Sequence, residues 1–387
     1  MVDWLIIGGG IQGCTLAIHL VRSGKVTPER LAILDRHEAP LMNWKMYTMR
    51  TGMDYLRSPQ IHHLDYEPAS LHTFARKQQK INQLVGYYKK PQIELFNEHS
   101  EAAIQSALSS ATWIKGEVTD IKKEGSLWQI ETKEHQLKAK NVVLATGCTE
   151  QFAWPEWAAA WRKEAPKRVA HLFQKEGLDL LPGDAPIVVI GGGISAAHFA
   201  CRLIRAGRKV IMISRHALRV HEFDSDPGWL GPKYMSGFLS VNDYVKRREM
   251  ITTARHRGSL PPMLYRKLTK YMRQGLIQVL YDEVSSCEKL KHTMIQLKTK
   301  HGKRIRAAQI ILATGFSLNL STMDWLQTLI REEQLPTAAC GYPVLTTSLQ
   351  WKEGLYAIGA LAELELGPSA RNISGARSAC RRMIHHL

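Results

Sequence analysis

The 387 residues predict an α/β protein of two similar three-layer (ββα) units. Three observations carry this: a strand, glycine-rich turn and helix near the N terminus, a second copy of that order near the middle, and a meander ending in Ala-Thr-Gly after each.

The first copy is WLIIGGGIQGCTLAIHL, residues 4 to 20: an apolar strand, then Gly8-x-Gly10-x-x-Gly13, then an apolar helix. The first glycine makes the tight turn, the second lets backbone approach a pyrophosphate, and the third lets helix pack on strand. Amides of the helix start, around Gln12, then face the phosphate. A second strand, Leu31 to Leu34, ends in Asp35, which lies 25 residues after Gly10 and is followed by Arg36. An acid there can accept both hydrogen bonds of a ribose diol. This is a Rossmann-like dinucleotide signature.

The second copy, IVVIGGGISAAHFACRLI from Ile187, repeats the order with Gly191, Gly193 and Ala196, and with Ile194 and Ser195 opening its helix. Its next strand, Lys209 to Ile213, ends in Ser214-Arg215-His216 instead of an acid. A cation at that position can pair with a 2′-phosphate, which favours NADPH over NADH.

Both copies share a tail. Residues 116 to 147 and 282 to 315 each read as three short strands with polar turns, ending at Gly147 and Gly315.

Bulk composition bounds the rest. A formal charge of +17 makes the surface attract anions. The six cysteines (Cys14, Cys148, Cys201, Cys287, Cys340, Cys380) form neither C-x-x-C nor a His/Cys cluster, so no disulfide scaffold or zinc site is expected. The longest apolar run, Ile187 to Cys201, is broken by three glycines and is too short to span a bilayer. A strand-like segment begins almost at Met1, leaving no room for a signal peptide, and a cytoplasmic protein is expected.

On these motifs the sequence resembles, along nearly its whole length, the two-dinucleotide flavoproteins of the glutathione reductase fold. Within them it is similar to the flavin-dependent and lysine/ornithine N-hydroxylating monooxygenases. The resemblance implies FAD at the first turn and NADPH at the second. It places the nicotinamide domain (158–318) as an insertion in a FAD domain (1–157 and 319–387), with a basic insertion at about 221–275. QFAWPEWAAAW and Phe316 to Thr322 would be the crossings. A final strand (Leu355 to Ile358), a turn at Gly359 and a last helix follow, with Asn372, Ile373 and Gly375 under the pyrimidine edge of the flavin. The acid that usually follows this strand's glycine is replaced by Ala360, with Glu363 as a substitute for the ribityl contact.

The missing C-x-x-C sets aside a dithiol relay. The favoured reaction is monooxygenation of a small anionic or amine-bearing organic substrate through a flavin C4a-hydroperoxide. The alternative is a reductase passing electrons to a quinone, flavin or protein, and third comes a dinucleotide-dependent sensor or nucleic-acid-binding module.

Residues 41 to 65 would line the flavin face as a loop resembling the substrate-side loops of N-hydroxylating enzymes, mixing Trp44, Met46, Tyr47, Met49 and Met53 with Lys45, Arg50, Arg57, His62 and His63. The competing reading makes the apolar members core and the histidine pair surface. His171, 20 residues before Gly191, occupies the position of a monooxygenase fingerprint histidine but lacks its neighbours. Arg50, His62 and His171 are the catalytic candidates. From Val245 to Arg273, nine Lys/Arg face one acid, Glu249. These should point to solvent or toward the nicotinamide dinucleotide, with Arg255 and Arg257 suited to phosphate or carboxylate. Ser259 is expected to start a helix that buries Leu264, Leu268 and Met272.

Overall fold

The computed structural model describes residues 2–147, 151–174, 178–290, 294–317 and 319–387; Cys148, Leu318 and 291–293 of the second meander lie outside them. A parallel sheet runs in the spatial order Thr112–Lys115, Leu31–Asp35, Val2–Ile7, Gln136–Leu144, Leu355–Ala357. Its central strand carries Leu5 and Ile6 at 0% exposure, as a strand covered on both faces requires. Helix Ile11–Arg22 packs against helices Ile93–Leu108 and Ile373–His386. The meander strands Val118–Glu124 and Leu127–Thr132 extend the edge of Gln136–Leu144, with Trp128 fully buried.

The second parallel sheet has five strands, ordered Ile277–Tyr281, Val210–Ser214, Ile187–Ile190, Gln309–Leu312, Val169–His171. Its own meander is Val284–Lys289, Ile295–Thr299, Arg304–Ala307. Between the two units the chain crosses twice, side by side: Phe152 bridges Phe316, Ala153 N donates to Gly315 O at 3.0 Å, and Ser317 N donates to Gln151 O at 2.7 Å.

The basic insertion folds as helices Pro232–Leu239, Tyr244–Ala254 and Pro262–Arg273. The last buries Leu264 and Leu268 as expected, with Met272 partly buried beside them. It does not start at Ser259, which sits in a short strand, Ser259–Leu260, paired with Arg219–Val220. Pro262 occupies the first helical position, where its missing N–H is no loss. The Ser259 hydroxyl donates instead to His256 O at 2.5 Å and accepts from Arg57 at 2.9 Å.

Of the nine Lys/Arg from Val245 to Arg273, Lys246, Arg257, Arg266, Lys270 and Arg273 are exposed as expected, and four depart from expectation. Arg247 is buried against Glu365 (3.2 Å), Arg248 and Arg255 bind Glu363 (2.8 and 3.1 Å), and Lys267 binds Asp54 (2.7 Å). They turn inward because carboxylates distant in sequence lie beneath them. Among the described residues no helix is long and apolar enough to cross a membrane.

Candidate functional site: a cleft across two glycine turns

One cleft of about 2900 Å³ runs past both glycine turns. A single small ligand needs roughly 300–1,000 Å³, so the space suits two dinucleotides and a substrate. The turns are built alike. Gly8 and Gly191 have φ of +112° and +142°, and a Cβ on either would fall 2.4 or 2.5 Å from the carbonyl oxygen of Ala145 or Ala313. Those alanines open the two Ala-Thr-Gly tails, which explains why turn and tail recur together. Gly147 and Gly315, which close the tails, both lie on the cleft.

At the first turn, a Cβ on Gly13 would meet Gly8 O at 1.8 Å, so Gly13 serves helix-on-strand packing and does not line the cleft. A Cβ on Gly10 meets nothing within 4 Å and would project into open cleft. The helix after it carries no acid in its first turn, so its positive end is left for an anion. Asp35 accepts from Gly9 N (2.6 Å) through one oxygen and from His37 N (2.8 Å) through the other. Each oxygen keeps a further lone pair, enough for a ribose diol. These features fit a dinucleotide. Arg36 also borders the cleft, ion-paired to Glu117 at 3.3 Å. A constraint missed in sequence is Gly9, whose Cβ would collide with the Trp113 ring at 2.1 Å. Only the glycine triplet itself hinted at it.

The second turn places Gly191, Gly193, Ile194, Ser195, Ser214 and Arg215 on the cleft, while Ala196 is buried beneath. Its helix likewise has no acid in the first turn. Ser214 is 1% exposed and its hydroxyl donates to His216 O at 2.7 Å, so its proton is already used. Arg215 is exposed at the rim. Arg257, expected to suit a phosphate or carboxylate, lies on the same cleft, as does Arg219, which was not assigned to it. The loop carrying Arg257 reaches the turn itself: a Cβ on Gly193 would lie 3.4 Å from Gly258 Cα.

At the C-terminal segment, Asn372 and Ile373 open the last helix on the cleft wall. Gln12 reaches across from the first turn, its Nε2 donating to Ala370 O (3.2 Å) and Asn372 O (3.1 Å). Gly359 and Gly375 do not line the cleft. A Cβ on Gly359 would press on Gln12 Cγ at 3.1 Å, and one on Gly375 would strike Ser369 O at 2.2 Å, so both are packing glycines. Glu363 does not reach the cleft either. Fully buried, it receives Arg371, Arg248 and Arg255, and is no substitute for the acid absent at Ala360.

The expected substrate-side loop is a helix, Met42–Thr51, over its first half. Trp44, Tyr47, Thr48, Thr51, Met53, Leu56, Arg57 and His62 face the cleft, while Lys45 turns out to Glu101 at 2.5 Å. Arg50 points away from the cleft and donates to the carbonyl of Gln174 in the other unit. Met49 is exposed.

The two neighbouring histidines part company. His62 lines the cleft, and burial followed by the nearby Arg377 pushes it down to about 4. His63 is fully buried, its Nε2 3.0 Å from Pro68 O and its ring edge-on to His99. It is core, against the surface reading. His171 is not on the cleft: it is fully buried, stacked at 4.7 Å on Phe152 beside Trp154, Phe173 and Phe316, and burial lowers it to about 4. This aromatic surround makes it structural. Tyr47, Phe173 and Phe316, stacked in the same region at 4.7 to 5.9 Å, do reach the cleft. Sequence reasoning missed Phe173 and Phe316, whose meeting depends on the chain crossings.

A family model for pyridine nucleotide-disulphide oxidoreductases matches residues 5–257. Comparison with curated proteins finds no match. Among solved structures, the ornithine N-hydroxylase of Kutzneria sp. 744 is similar in fold (TM-score 0.78, 16% identity, 100% of this chain and 98% of that one). So is the cadaverine monooxygenase of Erwinia amylovora bound to FAD (0.76, 17%, 100% and 95%). A bacillithiol disulfide reductase of Staphylococcus aureus matches with TM-score 0.65 at 16% identity (100% and 97%).

Proposed function

The chain belongs to the pyridine nucleotide-disulphide oxidoreductase family, an FAD- and NAD(P)H-dependent enzyme family, and we propose that this member is an NADPH-dependent monooxygenase that hydroxylates a small primary amine. Residues 1–157 with 319–387 form the FAD domain in this reading, and 158–318 the nicotinamide domain. The Phe152–Phe316 bridge at the crossings supports that division.

FAD, when bound, would supply the acceptor for the nicotinamide's hydride and, once reduced, the reactivity toward oxygen. The chain's own residues bind, orient and exclude water. Asp35 and the helix start after Gly10 hold one dinucleotide, and Gly193 with Arg215 the other. Trp44, Tyr47, Met53, Leu56, Phe173 and Phe316 wall the space between the turns, keeping out water that would divert the reaction. His62, held neutral by burial, offers a hydrogen-bonding nitrogen there without charge.

The observation that carries this reading is the apolar wall shared by both turns. The solved relatives act on an amino acid in one case and a diamine in the other, and both present a primary amine. A second reading, a reductase, is favoured by the exposed Cys340 thiol on the cleft and by the similarity to a disulfide reductase.

Turnover with NADPH and oxygen over a panel of primary amines tests the choice. One hydroxylated product per NADPH is expected for at least one amine. Fast turnover with quinone or disulfide acceptors, with only peroxide formed in oxygen, would assign the reductase.

A further inference from the structure

The two glycine turns differ at one place. Above Gly10 the direction a side chain would take is open, with nothing within 4 Å, whereas above Gly193 it is occupied: a Cβ there would touch Gly258 Cα at 3.4 Å and Gly258 C at 3.9 Å. The second glycine of such a turn is the one over which a pyrophosphate draws near. A phosphate must stand further out along that line than a Cβ does, so in this conformation Gly258 fills part of its place.

Gly258 sits at the tip of a short loop, Arg255 to Ser259, whose flanks are held and whose tip is not. On one side Arg255 binds Asp224 (3.0 Å) and Glu363 (3.1 Å), His256 N donates to Asp224 O (2.7 Å), and the His256 ring stacks on His221 at 3.7 Å. On the other, the Ser259 hydroxyl accepts from Arg57 Nη2 at 2.9 Å and donates to His256 O at 2.5 Å. Arg57 belongs to the first unit, and its guanidinium also donates to the carbonyls of His221, Glu222 and Phe223 at 2.8, 3.1 and 2.6 Å. It thereby ties together the ends of the paired strands Arg219–Val220 and Ser259–Leu260. The tip has only Arg257, which is exposed, and Gly258, whose φ of +68° is a left-handed conformation that glycine adopts readily. No apolar side chain anchors it, so lifting the tip breaks a few polar contacts and uncovers no core.

We infer that residues 256–259 form a gate over the second glycine turn, latched by Arg57 through the Ser259 hydroxyl, which must lift before the pyrophosphate of NADPH can seat on Gly193. The inference rests on the reading of the second turn as the nicotinamide site and adds a conformational step to it. A site that is open only part of the time binds with an affinity reduced by the open fraction. Weakening the latch should therefore strengthen binding, the reverse of what losing a contact does to a fixed cradle.

The test is NADP⁺ binding to the FAD-loaded protein, by calorimetry for affinity and by stopped-flow tryptophan fluorescence for rate. Gly258→Ala strains the closed tip twice, through its φ and through His216, whose ring would lie 3.1 Å from the new methyl. Association should then quicken by about fivefold or more, with a matching gain in affinity. Ser259→Ala removes the latch while Arg57 keeps its three carbonyl partners, and should quicken association by about threefold or more. If Gly258→Ala fails to hold FAD, Ser259→Ala decides alone. Slower or weaker binding in these variants would make the loop a fixed cradle, and unchanged rates would make the latch idle; either result overturns the gate. Gly193→Ala checks the reading underneath. With φ −94° the position tolerates alanine, and the methyl should abolish NADP⁺ binding with flavin retained. Full NADP⁺ binding by that variant would remove the nicotinamide from this turn and the gate with it, whereas its loss without quickening in the other two variants sinks the gate alone. Hydroxylation does not enter these measurements, so a failure of that chemistry leaves the gate standing.

Discussion

The side-chain amide of Gln12 donates to the carbonyl of Asn372 at 3.1 Å, joining residues 360 apart in sequence. The first glycine turn and the start of the last helix are thereby held as one wall of the cleft. A change at either end reaches the other through this contact.

Gly10→Ala is expected to empty the first site while leaving the fold intact. Gly10 has φ −80° and its Cβ position is free of protein atoms, so alanine is sterically allowed in the polypeptide. The methyl would stand where the pyrophosphate belongs. Flavin occupancy after desalting should fall by about tenfold or more, equivalent to ~1.4 kcal/mol, with unchanged circular dichroism. Full occupancy would move the site elsewhere.

Arg215→Ala separates the two nicotinamide cofactors. The exposed guanidinium at the end of Val210–Ser214 is placed for a 2′-phosphate. NADPH binding should weaken by about 1.5–3 kcal/mol, the range for hydrogen bonds to charged groups, with NADH nearly unaffected. Steady-state KM values for both nucleotides check this, and equal losses would remove Arg215 from the phosphate.

Stability should decline in mild acid because of a histidine cluster. Burial, the first cause in each case, pushes His19, His62 and His99 down to about 4 and His63 to about 3. The unfolded chain takes up these protons near 6.5, before the folded one does, so stability is full above about pH 6.5 and is lost as pH falls toward 4. Each histidine contributes a slope of up to about 1.4 kcal/mol per pH unit. Urea denaturation between pH 7 and 4.5 should show it. His63→Gln should reduce the slope by one proton, and an unchanged slope would place the uptake on other groups.

Glu363→Gln should be strongly destabilising. Removing the charge leaves Arg248, Arg255 and Arg371 around an uncharged amide in a buried position, a loss of about 3–5 kcal/mol for breaking a buried ion pair. Calorimetry of the holoprotein gives the measurement. A change below 1 kcal/mol, on the scale of an exposed pair, would mean that the network is solvated.

Much of the cleft was legible in advance because its cause is local. Gly8, Gly10, Asp35, Gly191, Gly193 and Arg215 sit within short strand–turn–helix segments, where steric demand and apolar run can be read residue by residue. Reading by position alone misplaced others. Gly359 and Gly375 are glycines for packing against Gln12 and Ser369, and His171 is wrapped by aromatic rings away from the cleft. Helix Met42–Thr51 was read as a loop because its apolar and charged residues alternate without a clear face, as expected where one side meets a cleft and the other a second unit.

By itself the sequence determined that this chain makes two copies of one dinucleotide-binding plan, because the glycine turns and their Ala-Thr-Gly tails are local, sterically exacting signatures. Only the tertiary structure decided what the remaining charge does. Arg248 and Arg255 meet Glu363 across 115 and 108 residues, and Trp113 closes on Gly9 from a third strand. Such partners are chosen by how the sheets and crossings bring distant segments together, and burial then makes their charges count. The +17 formal charge, which alone suggested a solvated basic surface, is thus drawn in part into the wall of the cleft.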